Sequence, residues 1–148
     1  MDSAVDEVVE PKRKRGNPNK RKGDDAELKT LKWLRAVGFP RSWKTRAGWD
    51  DDRGDVLVPH PLPGHAPVVV QVKDVASPLW SKWHGEVANQ VRNAEAAFGV
   101  ILHKKRGSAN PADWNVVMTG TQFVNMLVGL GYLDPIPLTE TETEEITA

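Results

Sequence analysis

The stretch "VVVQVKD", Val68 to Asp74, decides how the rest of the chain is read. Its β-branched run and flanking turn residues predict an inner strand. Side chains alternate along a strand, so Val68, Val70 and Val72 line one surface while Val69, Gln71 and Lys73 line the other. An amide and an ammonium two residues apart on one face of so apolar a strand require polar company there. Lysine tolerates an exposed edge, but "VVVQV" is too apolar for one, and a lysine so placed wants a charged partner.

Working outward, the neighbouring segments predict an alternating order. "GDDAELKTLKWLRAVGF" begins with Asp24 as N-cap and Glu27 three positions on, a capping-box spacing, then runs with helical periodicity through Leu31, Leu34 and Val37 to Gly38. "PRSWKTRAG" and "GDVLVP" read as short strands around the turn-rich "WDDDR", and "LPGHAP" leads into Val68. From Ser81 to Phe98, apolar residues at Trp83, Val87, Val91, Ala94 and Phe98 predict an amphipathic helix. "GVILHKK" and "DWNVVM" read as strands, and Thr121 can cap a last helix, "QFVNMLVGL", that Gly131 closes. The predicted order is α-β-β-β-α-β-β-α, an α/β fold with a mixed central sheet flanked by helices.

With 148 residues, 39% of them apolar, the chain suits one modest domain with one core. It has no cysteine, so any metal site must use oxygen or imidazole. It shows neither an apolar run long enough to span a membrane nor an apolar signal region, which predicts a cytoplasmic protein with no membrane partner. The net charge of zero conceals an asymmetry. Residues 1–10 carry four acids, residues 11–22 ("PKRKRGNPNKRK") seven bases and no acid, and residues 134–148 five acids and no base. Both ends are poor in apolar residues, so the reading is a disordered basic arm (1–22), a folded domain (23–133) and a disordered acidic tail (134–148). The arm's Lys12, Arg13, Lys14, Arg15, Lys20, Arg21 and Lys22 suit phosphate contacts, with a solubilising tail or a localisation signal as the blander readings.

Three elements each direct a polar group inward: Glu27 on the first helix, Asp55 at the start of the second strand, and Gln71 with Lys73 on the third. If the second and third strands are neighbours, Asp55, Gln71 and the Val72 carbonyl offer oxygens to a hard divalent cation, with Lys73 within reach of a water or phosphate oxygen. Taken singly, Asp55 reads as turn chemistry and Glu27 as a cap. Their conjunction points to phosphodiester hydrolysis. The four histidines show no metal-ligand spacing and are assigned no role.

"GDV" followed about sixteen residues later by "VQVK", with a glutamate in the preceding helix, resembles the PD-(D/E)XK nuclease motif in its QxK variant. In element order, "RKGDDAE", "WKTRAG", "GDVLV" and "VVVQVKD" are most similar to archaeal-type Holliday junction resolvases over roughly residues 21 to 130. The resemblance implies a restriction-endonuclease-like core and a Mg2+- or Mn2+-dependent endonuclease. Its substrate would be DNA, four-way or branched junctions in particular, cut by a homodimer. It also implies metal-binding positions at Glu27, Asp55, Gln71 and Val72 and a catalytic lysine at Lys73. Gln71 stands where the family usually has glutamate, and Glu86 on the second helix is a candidate substitute carboxylate. Trp49 and Asp50 follow Gly48 where the resolvases place a serine. Trp80 and Lys82 are candidates to stack on or contact nucleic acid, against core packing as the ordinary role of a tryptophan. Lys104, Lys105 and Arg106 form either a solvated hairpin end or a phosphate-binding patch. Within the same superfamily, the alternative is a restriction, nicking or repair nuclease on duplex DNA. From a different class, it is a non-catalytic nucleic-acid-binding protein.

Overall fold

A computed structural model describes residues 16–45 and 51–148. Lys12 to Arg15 of the basic arm, and the Trp49–Asp50 pair, lie outside the described residues. The chain forms a five-stranded mixed sheet flanked by helices: α1 (Pro18–Val37), β1 (Trp43–Lys44), β2 (Val56–Val58), β3 (Val68–Lys73), α2 (Trp80–Asn93), β4 (Phe98–His103), β5 (Asn115–Val117), α3 (Gly120–Gly129) and α4 (Glu140–Thr147), with a 3-10 turn at Pro111–Asp113. The strands lie in chain order. β1–β2, β2–β3 and β4–β5 are antiparallel, and β3–β4, joined through α2, is parallel.

The alternation predicted for β3 divides the core in two. Val70 and Val72 pack with Val56, Val100, Leu102 and Trp114 against Ala26 and Leu31 of α1. On the other face, Ile101 packs with Trp83 and Val87 of α2. Because β3 is covered on both faces, it reads as a nearly continuous apolar run. Gln71 and Lys73 fall on the α2 side.

Several boundaries differ from the sequence reading. α1 starts six residues before Asp24: Asn17 caps it, its side chain accepting the Asn19 N–H at 3.0 Å, and Pro18 fits the first turn, where no N–H donor is needed. Lys20, Arg21 and Lys22 are therefore exposed helical residues rather than part of a disordered arm. Glu27 lies mid-helix, so capping does not explain it. The second helix stops at Asn93, and Glu95, at φ 50°, turns the chain so that β4 can run parallel to β3. Phe98 begins that strand and packs with the α1-side core instead of extending the helical stripe. Thr119, not Thr121, caps α3 by accepting the Gln122 N–H at 3.2 Å. The acidic tail holds a helix, α4, with a complete Thr139/Glu142 capping box and no buried residue. No described helix is long and apolar enough to cross a membrane.

Candidate active site at the open end of β2

The pairing of β2 leaves a notch. β2 covers only Val68 to Val70 of β3, so Gln71 to Lys73 run on past its end. The chain reaches this point through the loop 51–54, held against α2 by two hydrogen bonds and braced internally by a third. Asp52 Oδ2 accepts from Gln90 Nε2 at 2.8 Å, Asp52 O accepts from Asn93 Nδ2 at 2.7 Å, and Asp52 Oδ1 accepts the Gly54 N–H at 3.0 Å. Gly54 takes φ 87°, and a Cβ there would lie 2.6 Å from Val69 Cγ1, so the turn requires glycine. Thr45 clamps the next residues from the β1 side: its hydroxyl donates to the Gly54 carbonyl and its N–H to the Asp55 carbonyl at 3.0 Å.

Asp55 is thereby fixed where β2 would otherwise have continued. Its N–H donates to the Val70 carbonyl at 3.2 Å, and its Oδ2 accepts the Val72 N–H at 2.8 Å. The carboxylate thus satisfies a β3 backbone donor left without a strand partner. A residue's N–H and C=O lie on the same edge of a strand, so the Val72 carbonyl also faces the notch. The Lys73 carbonyl is turned the other way, where it accepts the Lys104 N–H at 2.9 Å.

α1 brings a second carboxylate to this point, since Glu27 lies within hydrogen-bonding reach of Asp55. Burial pushes the Asp55 carboxyl up to about 7, and the neighbouring Glu27 charge pushes in the same direction. The Val72 N–H and the Lys73 charge oppose the rise without cancelling it. Asp55 therefore keeps its proton at an acidity where an isolated carboxyl would hold none. Lys44 of β1 meets the other side of the pair, its Nζ 3.0 Å from Glu27 Oε2, a contact that raises its own pKa.

On the α2 side, Lys73 Nζ lies 3.2 Å from Glu86 Oε2 and 5.3 Å from the Trp83 ring centroid. Glu86 is therefore the counter-ion of Lys73, and Lys82, with a largely exposed side chain, approaches the same carboxylate at 3.9 Å. The charges of Glu27 and Lys73 act on Asp55, and Asp55 in turn acts on Lys44. Gln71 is buried, and its Oε1 has no hydrogen-bond partner.

That orphaned oxygen tests whether the residues suit a divalent cation. A buried acceptor without a donor costs about 1–3 kcal/mol, and two crowded carboxyls cost more still without a proton or cation between them. Glu27, Asp55, the Val72 carbonyl and Gln71 offer oxygen donors only, the kind that Mg2+ and Mn2+ prefer. Among the described residues, no three His, Cys, Asp or Glu side chains form a metal-holding group. An amide and the main chain must therefore complete any such set.

Of the other predicted residues, Trp80 is half-buried in a ring cluster: it lies edge-on to Trp83 at 5.3 Å and to His103 at 5.2 Å, and is stacked on His84 at 6.2 Å. It packs the start of α2. Lys104 is tied to Asp74 at 3.4 Å, while Lys105 and Arg106 are exposed. Lys44, Asp52 and Gln90 were not anticipated. Strand alternation at "WKT" offered a hint for Lys44, whereas nothing in "WDDDR" separates Asp52 from its neighbours.

Fold and site together define a mixed α/β domain with a half-buried carboxyl pair and a half-buried lysine at the broken edge of its central strand. No protein-family model, curated protein or solved structure matches the chain.

Proposed function

We infer that the chain is a metal-dependent endonuclease acting on DNA, built on a restriction-endonuclease-like core. The observation that carries this reading is the half-buried Glu27–Asp55 pair beside Lys73, with Asp55 pushed up to about 7. Strongly perturbed titratable groups gathered in a notch are what a hydrolytic site needs and what a purely structural strand end avoids.

Asp55 and Glu27 would hold Mg2+ or Mn2+ together with the Val72 carbonyl and Gln71 Oε1. When bound, the cation supplies a Lewis acid that acidifies water and offsets phosphate charge. The chain's own residues do the rest. Lys73 turns one N–H from Glu86 toward a phosphate oxygen and stabilises the negative charge that builds there. Glu86 holds that ammonium in place, and Lys44 limits the repulsion at Glu27. The Asp52–Gln90–Asn93 contacts keep Asp55 from drifting along the notch. Water adds to phosphorus, the phosphodiester P–O bond breaks, and the leaving oxygen takes up a proton.

The branched-DNA substrate is supported by the resemblance of the four quoted segments to the junction resolvases. A homodimer is supported by the need for two symmetric cuts and by exposed Phe123, Val124 and Val128 on α3. The test is Mn2+ titration of wild type and Asp55→Asn, following both cation binding and cutting of labelled DNA. The reading expects binding and cutting to weaken together in the variant, and it fails if Asp55→Asn binds and cuts like the wild type.

A further inference from the structure

Just past Lys73, at the carboxyl ends of the parallel strands β3 and β4, lies a second, basic cleft of about 430 Å³. Lys22 of α1 forms one wall, and Lys104, Lys105 and Arg106, which follow β4, form the other. Asp74 is the single acid. Its side chain is only 10% exposed, and its two oxygens hold Lys22 and Lys104 at 3.4 Å each. A largely shielded carboxylate shared by two lysines gathers cations that would otherwise repel, and fixes where their remaining N–H donors lie. Four bases over one acid leave three surplus positive charges. Among the described residues, Lys105 and Arg106 meet no acid in an ion pair. An arginine fork beside two oriented ammonium groups suits the tetrahedral, multiply charged oxygens of phosphate better than a lone carboxylate.

The position selects which phosphate. Asp74 follows Lys73 directly, and Lys73 is paired with His103, the residue before Lys104. The cleft therefore opens directly beyond the lysine at the same end of β3, on the side of the sheet where α1 brings Lys22. We propose that this cleft binds the backbone phosphate next to the one presented to Lys73, fixing the register of the cut strand. This rests on the nuclease reading for the identity of the neighbouring site, but not for the binding of a phosphate.

The test uses the full chain and its Lys105→Ala/Arg106→Ala double variant, whose altered side chains are exposed. Affinity for a labelled DNA duplex is measured in EDTA from 50 to 200 mM salt. Loss of that one phosphate contact makes the slope of log affinity against log salt shallower by about 0.9, so wild-type affinity falls about 3.5-fold more than the variant's across that range. Single methylphosphonates scanned along one strand should weaken the wild type at one position and leave the variant unaffected there. An unchanged slope overturns the proposal. So does inorganic phosphate bound tightly by the wild type and not by the variant while the DNA slope stays the same, which would make this a free-phosphate site. Parallel reactions with Mg2+ separate the two readings: a slope change without cutting removes the nuclease and keeps the cleft, whereas cutting without a slope change removes the cleft alone.

Discussion

Lys73 sits on a strand whose other residues, apart from Gln71, are all valines, and is held there by Glu86 and the face of Trp83. If it stabilises charge on phosphate, Lys73→Ala should reduce cleavage at least ~100-fold while DNA affinity stays within a few fold, since one lysine adds little to a footprint spread over many bases. Equal losses in binding and cutting would make it a docking residue instead. Gln71 offers the sharper test. Its Oε1 lacks a donor, and a carboxylate attracts a hard cation more strongly than an amide does, so Gln71→Glu should lower the Mg2+ concentration at half-maximal cleavage. An unmoved titration would show that Gln71 is not a ligand. Asp55 makes a prediction about stability. Its carboxyl rises from an ordinary 3.8 to about 7 in the fold, so between those values the folded chain keeps a proton that the unfolded chain has lost. Without metal, stability should therefore fall as pH rises through that window and level off above it, and Asp55→Asn should remove this component. Melting temperatures across pH in EDTA check the point; identical pH profiles for wild type and Asp55→Asn would contradict it. At this scale, Glu27, Asp55, Gln71 and Lys73 were legible because strand alternation and helix periodicity fix faces. Lys44 and Asp52 were not, because their partners come from elements far away in the chain.

At the scale of elements, the site depends on a turn. Gly54 reaches φ 87° and passes Val69 Cγ1 too closely for any Cβ, so Gly54→Ala should destabilise the fold by about 1–3 kcal/mol and also displace Asp55. Chemical denaturation with a parallel cleavage assay tests both effects, and a variant with wild-type stability and activity would show that this loop does not set the site. The elements were largely readable from the sequence: three strands, a crossover helix and two more strands follow from β-branched runs separated by Gly and Pro. What failed was where helices begin and end. Asn17 and Pro18 form a start signal inside a stretch whose charge reads as disorder, and tertiary packing overrode composition there. Phe98 continues the apolar spacing of α2 arithmetically, yet Glu95 at positive φ ends the helix, and Phe98 crosses to the opposite face of the sheet.

For the whole molecule, the zero net charge separates into basic and acidic regions that act at different places. Lys20, Arg21 and Lys22 lie on α1 as part of the folded surface, so removal of residues 1–15 isolates the remaining four bases of the arm. If two to four of them meet phosphates, the salt slope should become shallower by about 2 to 4 units, and selectivity between branched and linear DNA should survive. Selective loss of junction binding would move recognition into the arm. Fold class was legible at this scale because alternating elements allow few layer arrangements. The notch was not, because it arises from β2 being three residues shorter than the β3 strand it borders. The proposed activity is hydrolysis of DNA at this notch with a divalent cation. The direct measurement is incubation of a labelled four-way junction and its linear duplex with the full chain, in Mg2+ and in EDTA. Discrete cuts in the junction are expected with Mg2+, none with EDTA, and little cutting of the duplex. Tight junction binding without cutting in either Mg2+ or Mn2+ would contradict it.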